Sequence, residues 1–456
     1  MKRQFIHKSA GNRRLILLFA GWGTDPQFYP APGVNGYDMM VVWDYTDTSL
    51  PLSPLEPYDE IAVVAYSFGV PAASAFLNAN PQLPVTARIA VNGTCHPADD
   101  LRGIPVAIFR GTLDGLTPAS LVKFYRRMAG DAVTYAAIAP LLPAEPDIEA
   151  LRHELAAIGE RGPAVADWDV AFVGVTDRII PSDNQRRAWN EARVTVREMP
   201  WGHTPDFKAI LSSVLTDKAL VARQFAKAAA TYDSEASVQR RIAASLVERW
   251  NPAPGISPDV IEIGCGTGLS TRELLRRVNP RSLRLWDLSP ATDAAGTGEV
   301  ECCDGELRIA RQAAASADLI FSTSTMQWFN SPAAFLRHCA RVLRKGGRVV
   351  VSTFGPETYR KFHEITGIEH AYADCAALRA IVPPEFRADL LESELMTLRF
   401  DSAAAMMRHV SATGVNAMGS TARIAATRRI LRDYPADAEG GYILTYQPIY
   451  MILTRI

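Results

Sequence analysis

A chain of 456 residues exceeds what one ordinary hydrophobic core organises, so two domains of about 200 residues each are expected. It carries 48 basic and 49 acidic side chains, with 48% hydrophobic and 21% charged residues. This balance argues against nucleic-acid binding and makes any basic patch a local feature. No apolar stretch approaches the roughly 20 residues that cross a bilayer, so no membrane partner is expected. Met1-Lys2-Arg3-Gln4-Phe5 lacks the apolar core of a signal peptide, which points to the cytoplasm. Cysteines stand at 95, 265, 302, 303, 339 and 375 without a C-x-x-C pair. They read as reduced thiols, and no metal is expected.

Through residue 216, short apolar runs alternate with helical stretches, the pattern of a parallel sheet wrapped by helices. The strand candidates are 15–19, 40–42, 61–64, 88–91, 106–109, 170–175 and 194–199. Residues 116–160 are Ala-rich and helical, in the slot that a cap over a hydrolase site occupies. The first strong strand ends in Phe19-Ala20-Gly21-Trp22-Gly23. An acyl-transfer site needs main-chain N–H groups aimed at a developing oxyanion, and this turn offers Trp22 alongside Phe68. Ala65-Tyr66-Ser67-Phe68-Gly69 follows Ile61-Ala62-Val63-Val64 and reads as a nucleophile elbow, with small residues two before and two after Ser67.

The base candidate is His203, in Pro200-Trp201-Gly202-His203 after the last strand of this half. The chain order serine, acid, histidine and proximity to that strand favour Asp177 as the acid. Asp114 competes with it, and Asp99 is a third candidate.

This half resembles the BioG-type pimeloyl-ACP methyl ester carboxylesterases over residues 10–210. The shared features are Phe19-Ala20-Gly21-Trp22-Gly23, Ser67-Phe68-Gly69, Asn92-Gly93-Thr94, Gly103-Ile104-Pro105, and Ile180-Pro181 with Gln185. The resemblance implies an α/β-hydrolase fold and release of a methyl ester. One departure concerns the lining after the histidine, where Thr204, Pro205 and Asp206 precede Phe207.

The boundary falls at 215–218, giving domains 1–216 and 217–456 with no Gly/Ser- or Pro-rich linker. After a helix around 239–250, strands are expected at 260–263, 283–286, 319–321 and 348–353, then a C-terminal pair at 396–400 and 443–453. Glu262, Gly264, Gly266 and Gly268 form an acidic-Gly-x-Gly-x-Gly loop between strand and helix, where the backbone approaches a cofactor closely. Asp287 ends the next strand, the place of a carboxylate for ribose hydroxyls. Asp304 stands where methyltransferases hold the adenine amino group. Together these residues point to S-adenosyl-L-methionine rather than a nicotinamide cofactor, on a class I, Rossmann-like fold. Gln327 and Trp328, with Met326, are expected near the transferred methyl, and Arg344-Lys345-Gly346-Gly347 is a structural turn.

The second half resembles the BioC-type malonyl-ACP O-methyltransferases over residues 222–456. The likeness rests on Phe225-Ala226-Lys227-Ala228-Ala229-Ala230-Thr231-Tyr232, Asp287-Leu288-Ser289-Pro290, Gln327-Trp328 and Gly414-Val415-Asn416-Ala417. It implies that Tyr232 belongs to a lid whose hydroxyl approaches the substrate carboxylate. Methylating a carboxylate needs no protein base, because the nucleophile is already ionised.

The two resemblances together imply methylation of malonyl-ACP and later hydrolysis of pimeloyl-ACP methyl ester in biotin synthesis. Acyl carrier protein carrying malonyl or methyl-pimeloyl groups would be the partner. Its acidity calls for basic docking surfaces, for which Lys123, Arg126 and Arg127, and Arg423, Arg428, Arg429 and Arg432, are candidates. Two alternatives stay open: a different small acid as methyl acceptor with an unrelated esterase, and a hydrolase half that only docks the carrier.

Overall fold

The computed structural model describes the chain except residues 290–297, 367–371 and 414–419; for residues 230 and 420–425 it describes the backbone alone. Two compact units result, Met1–Thr216 and Asp217–Ile456.

The first unit is built on seven strands: β1 (Lys2–His7), β2 (Arg14–Phe19), β3 (Tyr37–Trp43), β4 (Glu60–Tyr66), β5 (Val85–Val91), β6 (Val170–Gly174) and β7 (Thr195–Met199), in the order β1-β3-β2-β4-β5-β6-β7. β1 runs antiparallel to β3 and the other pairings are parallel. The RLILLF of β2 and EIAVVAY of β4 are buried along their whole length. A parallel sheet covered on both faces demands continuous apolar runs rather than alternation. The loops after β2, β4, β6 and β7 leave from the carboxyl ends of the strands and carry Trp22, Ser67 with Phe68, Asp177 and His203.

One expected strand is a helix. Val106 to Phe109 lie in the helix Val106–Asp114, which starts directly after Pro105. β5 already pairs with β6 through Ile89 and Val170, so the sheet has no slot for another strand between them. The run instead buries Phe109, whose ring meets that of Phe68 at 5.9 Å. Three more helices follow, Pro118–Ala129, Ala132–Ile138 and Ile148–Arg161, before β6 begins. The edge strand β1, mostly exposed, carries no apolar signal of its own.

The second unit opens with the helices Lys218–Glu235 and Ser237–Trp250. Its strands are β8 (Asp259–Ile263), β9 (Ser282–Asp287), β10 (Val300–Cys302), β11 (Ala317–Ser322), β12 (Leu343–Phe354), β13 (Phe386–Ser393), β14 (Met396–Phe400), β15 (Tyr442–Tyr446) and β16 (Pro448–Arg455). The main sheet has the order β10-β9-β8-β11-β12-β16-β13, and β14 with β15 forms a separate ribbon. β8 is flanked by β9 and β11, both parallel to it. Strand order reverses there, so a crevice opens at the carboxyl end of β8 as in Rossmann-like α/β sheets.

The apolar run 443–453 is not one strand. It breaks at Gln447, whose N–H donates to Thr358 Oγ1 and whose Oε1 accepts from the Glu357 N–H. The first part pairs with β14, and the second enters the main sheet between β12 and β13. Among the described residues no helix is long and apolar enough to cross a membrane. All six cysteines are free thiols.

Candidate active sites

Ser67 occupies the turn between β4 and the helix Gly69–Ala79 with φ 55°, a left-handed conformation costly for a side-chain-bearing residue. The strain is held by close backbone packing. A Cβ on Gly69 would lie 2.3 Å from the Phe19 carbonyl oxygen, and one on Gly93 would lie 2.4 Å from that of Ser67. Small residues at both positions are therefore a steric requirement.

The serine meets the other candidates. His203 Nε2 lies 3.0 Å from Ser67 Oγ, and His203 Nδ1 lies 2.8 Å from Asp177 Oδ2. The histidine and the aspartate are both buried. Asp177 Oδ1 accepts from the Ile179 and Ile180 amides, while Gln185 Nε2 donates to Oδ2 at 2.8 Å. These bonds fix the carboxylate with one oxygen aimed at the imidazole, which sets the tautomer that leaves Nε2 facing the serine. The competing acids lie elsewhere: Asp114 is exposed at a helix end, and Asp99 pairs with Arg102 at 2.9 Å.

Trp22 sits in the turn after β2, and Phe68 directly follows Ser67. The turn hydrogen bonds here start from the amides of Gly21, Thr24, Ser67 and Val70, and none of them uses the Trp22 or Phe68 N–H. The rings of both residues line a small cavity with Ile108, Phe109, Phe124 and Arg127 from the helical segment. Tyr66, the last residue of β4, packs its ring 5.1 Å from that of His203, and burial holds its phenol well above the ordinary value.

Asn92 bonds to the segments on both sides of this cluster, and the sequence motifs left it without a role. It follows β5 with φ 44°, and its Oδ1 accepts from the Gly174 amide at 2.8 Å. Its Nδ2 donates to the carbonyls of Gly202 and His203 at 2.9 and 2.7 Å. One buried amide thus ties the end of β6, which leads to Asp177, to the loop that carries His203.

In the second unit the loop after β8 holds three glycines in the left-handed region: Gly264, Gly266 and Gly268, with φ of 75°, 52° and 77°. Gly264 and Gly266 edge a cavity of about 110 Å³ that also touches Asp287, Asp304 and Trp328. A Cβ on Gly264 would lie 2.1 Å from Thr325 Oγ1, whereas one on Gly266 would meet nothing within 4 Å. The Gly266 amide donates to Asp287 Oδ2 and the Ser289 amide to Oδ1, each over 2.8 Å. Burial raises the pKa of this carboxyl. Asp304 caps the helix Gly305–Ala310. Lys218 Nζ stands 3.7 Å from Asp304 and 2.9 Å from Glu306. That buried lysine lines the same cavity, and no motif pointed to it.

Glu262 takes a different place from the other loop residues. It is fully buried beneath the loop, does not border the cavity, and accepts from Ser270 Oγ at 2.6 Å. It braces the loop against the following helix, and burial pushes its pKa up to about 7.

A second cavity adjoins the first, sharing Tyr232, Gln239 and Trp328 with it. Tyr232 comes from the first helix of the unit, where the Phe225 ring meets those of Tyr232 and Trp328 at 6.2 and 6.0 Å. Gln327 lines this second cavity, with its amide bonded to the Ser324 carbonyl at 2.6 Å. Gly414 to Ala417 lie outside the described residues, as does the side chain of Arg423. Lys123, Arg126 and Arg127 are exposed on the helix Pro118–Ala129. Arg428 is exposed, Arg429 bonds the Thr366 carbonyl, and Arg432 pairs with Asp433.

Residues 1–210 match the family described as pimeloyl-ACP methyl esterase BioG, and residues 261–351 match a methyltransferase domain family. The malonyl-[acyl-carrier protein] O-methyltransferase of Bacteroides fragilis (strain 638R) is 35% identical over 463 residues, an alignment that covers 97% of this chain and 93% of the relative. The chain belongs to that family. It joins a BioG-type half to a BioC-type methyltransferase half.

The enzyme of the same name from Bacteroides thetaiotaomicron is 33% identical, with 52% of this chain and 98% of the relative covered. A BioG crystal structure from Haemophilus influenzae is 34% identical and covers 44% of this chain and 94% of its own, with a TM-score of 0.40. The cofactor of this family's methyltransferase half is S-adenosylmethionine. The residues fit it: three left-handed glycines leave open space at Gly266, and two carboxylates border the same cavity.

Proposed function

We propose that this chain performs two opposed reactions on acyl carrier protein substrates. The C-terminal unit methylates the free carboxylate of malonyl-ACP. The N-terminal unit, an α/β-hydrolase, hydrolyses pimeloyl-ACP methyl ester to pimeloyl-ACP and methanol. The observation that carries the pair is the continuous Ser67–His203–Asp177 line in the same chain as a glycine-loop cavity that opens onto a tyrosine-lined one.

In the esterase, His203 takes the Ser67 proton as Oγ attacks the ester carbonyl, and the Trp22 and Phe68 amides receive the oxyanion. His203 then protonates methanol as it leaves, and water repeats the sequence on the acyl-enzyme. In the methyltransferase, bound S-adenosylmethionine supplies a methyl group activated by its positively charged sulfur. Gly264, Gly266 and Gly268 with Asp287 and Asp304 hold the cofactor, while Tyr232, Gln327 and Trp328 border the acceptor space and exclude water. Placement supplies most of the rate, because an ionised carboxylate needs no base.

The order of the reactions follows from charge. A free carboxylate is costly to bury in apolar acyl pockets. Masking it as a methyl ester lets the chain grow, and unmasking it stops growth. On this reading the protein acts in biotin synthesis, and we propose a cytoplasmic location for it. The test is methanol release from pimeloyl-ACP methyl ester by the full chain. Release by the wild type and none by Ser67→Ala supports the reading, and equal release by both rejects it.

A further inference from the structure

Four side chains from separate elements form a line that leads from the second cavity to the protein surface. Tyr359, which follows β12, places its hydroxyl 2.9 Å from that of Tyr446 at the end of β15. The Tyr446 hydroxyl lies 2.8 Å from His409 Nε2, on the helix Ala403–Ala412. His409 Nδ1 faces Glu235 Oε2 at 3.7 Å, and that carboxylate side chain is 47% exposed. Tyr359, Tyr446 and His409 are all buried, and both tyrosines line the cavity.

Such a line is expensive to keep without a purpose. Buried polar groups cost free energy unless every one is satisfied. Tyr359 also holds φ 56°, a strained conformation for a bulky side chain. Beside the line, two further polar atoms are buried without a hydrogen-bond partner, Gln239 Oε1 and Ser324 Oγ, and both residues border the two cavities. Of the two, the Ser324 hydroxyl can donate, and a spare donor on a residue that borders both cavities next to the cofactor site points to a polar ligand end.

We propose that this second cavity receives the carboxylate of the methyl acceptor, and that Tyr359, Tyr446 and His409 reverse their hydrogen bonds to donate to it while His409 takes up one proton. The inference rests on the methyltransferase reading above. With a neutral imidazole, Nε2 accepts from Tyr446 and the donors point away from the cavity. An anion beside Tyr359 reverses the line: Tyr359 donates to the anion, Tyr446 to Tyr359, and His409 Nε2–H to Tyr446. The proton comes from solvent on the Glu235 side, and Glu235 becomes the counter-ion of the imidazolium.

Burial lowers the pKa of His409 and Glu235 opposes that, so the uncharged ring is the resting form near neutral pH. The Phe400 ring packs on it at 5.3 Å. Among the described residues, Glu235 from the first helix and Tyr446 from β15 are the titratable groups recorded against it. Conversion of the carboxylate to an ester removes the anion, and His409 returns its proton to solvent. One proton is taken up on binding and one is released with the product.

The experiment is calorimetry of malonyl-ACP binding to the full chain with S-adenosylhomocysteine, in two buffers of different ionisation enthalpy at pH 7.5. About one proton taken up per site is expected for the wild type, and close to none for Tyr446→Phe or His409→Gln. In turnover, KM for malonyl-ACP should rise by up to about tenfold per pH unit in the wild type and stay flat with pH in both variants. Unaltered S-adenosylhomocysteine affinity would show the variants to be folded. Equal proton uptake in all three proteins, or the same pH profile of KM, would overturn the inference while leaving methylation in place. No methylation of malonyl-ACP by the wild type would overturn the functional reading and this inference with it.

Discussion

Asn92 holds His203 by its main chain: the amide nitrogen of the one donates to the carbonyl oxygen of the other over 2.7 Å. The same side chain accepts from Gly174, at the end of the strand that leads to the acid. The two histidine contacts that define the site are therefore built on an amide that touches neither Ser67 nor Asp177. Asn92→Ala leaves three main-chain groups, two buried and one half-buried, short of a partner, at about 1–3 kcal/mol for each buried one. It should lower the thermal midpoint and reduce kcat of ester hydrolysis more than it raises KM. Steady-state kinetics with a differential scanning trace checks both.

Ser67→Ala should remove ester hydrolysis by at least about 10³-fold, because loss of the nucleophile disables the whole catalytic line. Methyl transfer should continue at the wild-type rate. Side-by-side assays of methanol release and methyl incorporation on one protein preparation decide it.

The glycine loop offers a contrast between neighbours. Gly264→Ala puts a Cβ 2.1 Å from Thr325 Oγ1 at a φ of 75°, so the loop itself must move. Gly266→Ala meets no protein atom within 4 Å and suffers only the strain of φ 52°, about 1–2 kcal/mol. Gly264→Ala should destabilise the unit, while Gly266→Ala should fold and lose S-adenosylmethionine affinity by tenfold or more. Isothermal titration and a melting curve for each variant separate the two effects.

Glu262 sets a pH dependence. Its pKa is raised from 4.5 to about 7 by burial, so the folded state holds its proton where the unfolded chain has lost it. Stability from this group is fully present below about pH 4.5, falls as pH rises towards 7, and is lost above it. The total is on the order of 3 kcal/mol. Glu262→Gln keeps an acceptor for Ser270 and does not ionise. Its thermal midpoint should exceed that of the wild type at pH 8, and the difference should vanish near pH 4.5. Melting curves across this pH range would contradict the account if the two proteins ran parallel.

The strands that build both sheets were largely legible, because parallel strands buried on both faces write themselves as unbroken apolar runs. The failures have physical causes. Val106 to Phe109 has strand-like composition, yet Pro105 starts a helix there and the adjacent strand slot is already taken by β6. The run 443–453 hides its break, because one glutamine interrupts it and only the turn at 355–359 explains why. Ser67, His203 and Asp177 were legible from their turns and chain order. Asn92 stands out in the sequence only as part of Asn92-Gly93-Thr94, and Gln185 only beside Ile180 and Pro181. Tyr359, Tyr446, His409 and Lys218 had no local signature at all, since partners far apart in sequence define them. Glu262 belongs to the motif but braces the loop from below rather than facing the cavity.

The most direct test is intact-mass analysis of malonyl-ACP after incubation with S-adenosylmethionine and the Ser67→Ala protein, in which the ester cannot be removed. The account predicts that the acyl carrier protein gains the mass of one methylene, as its free carboxylate becomes a methyl ester. No gain, with S-adenosylmethionine still bound by the protein, would contradict the assignment of malonyl-ACP as methyl acceptor.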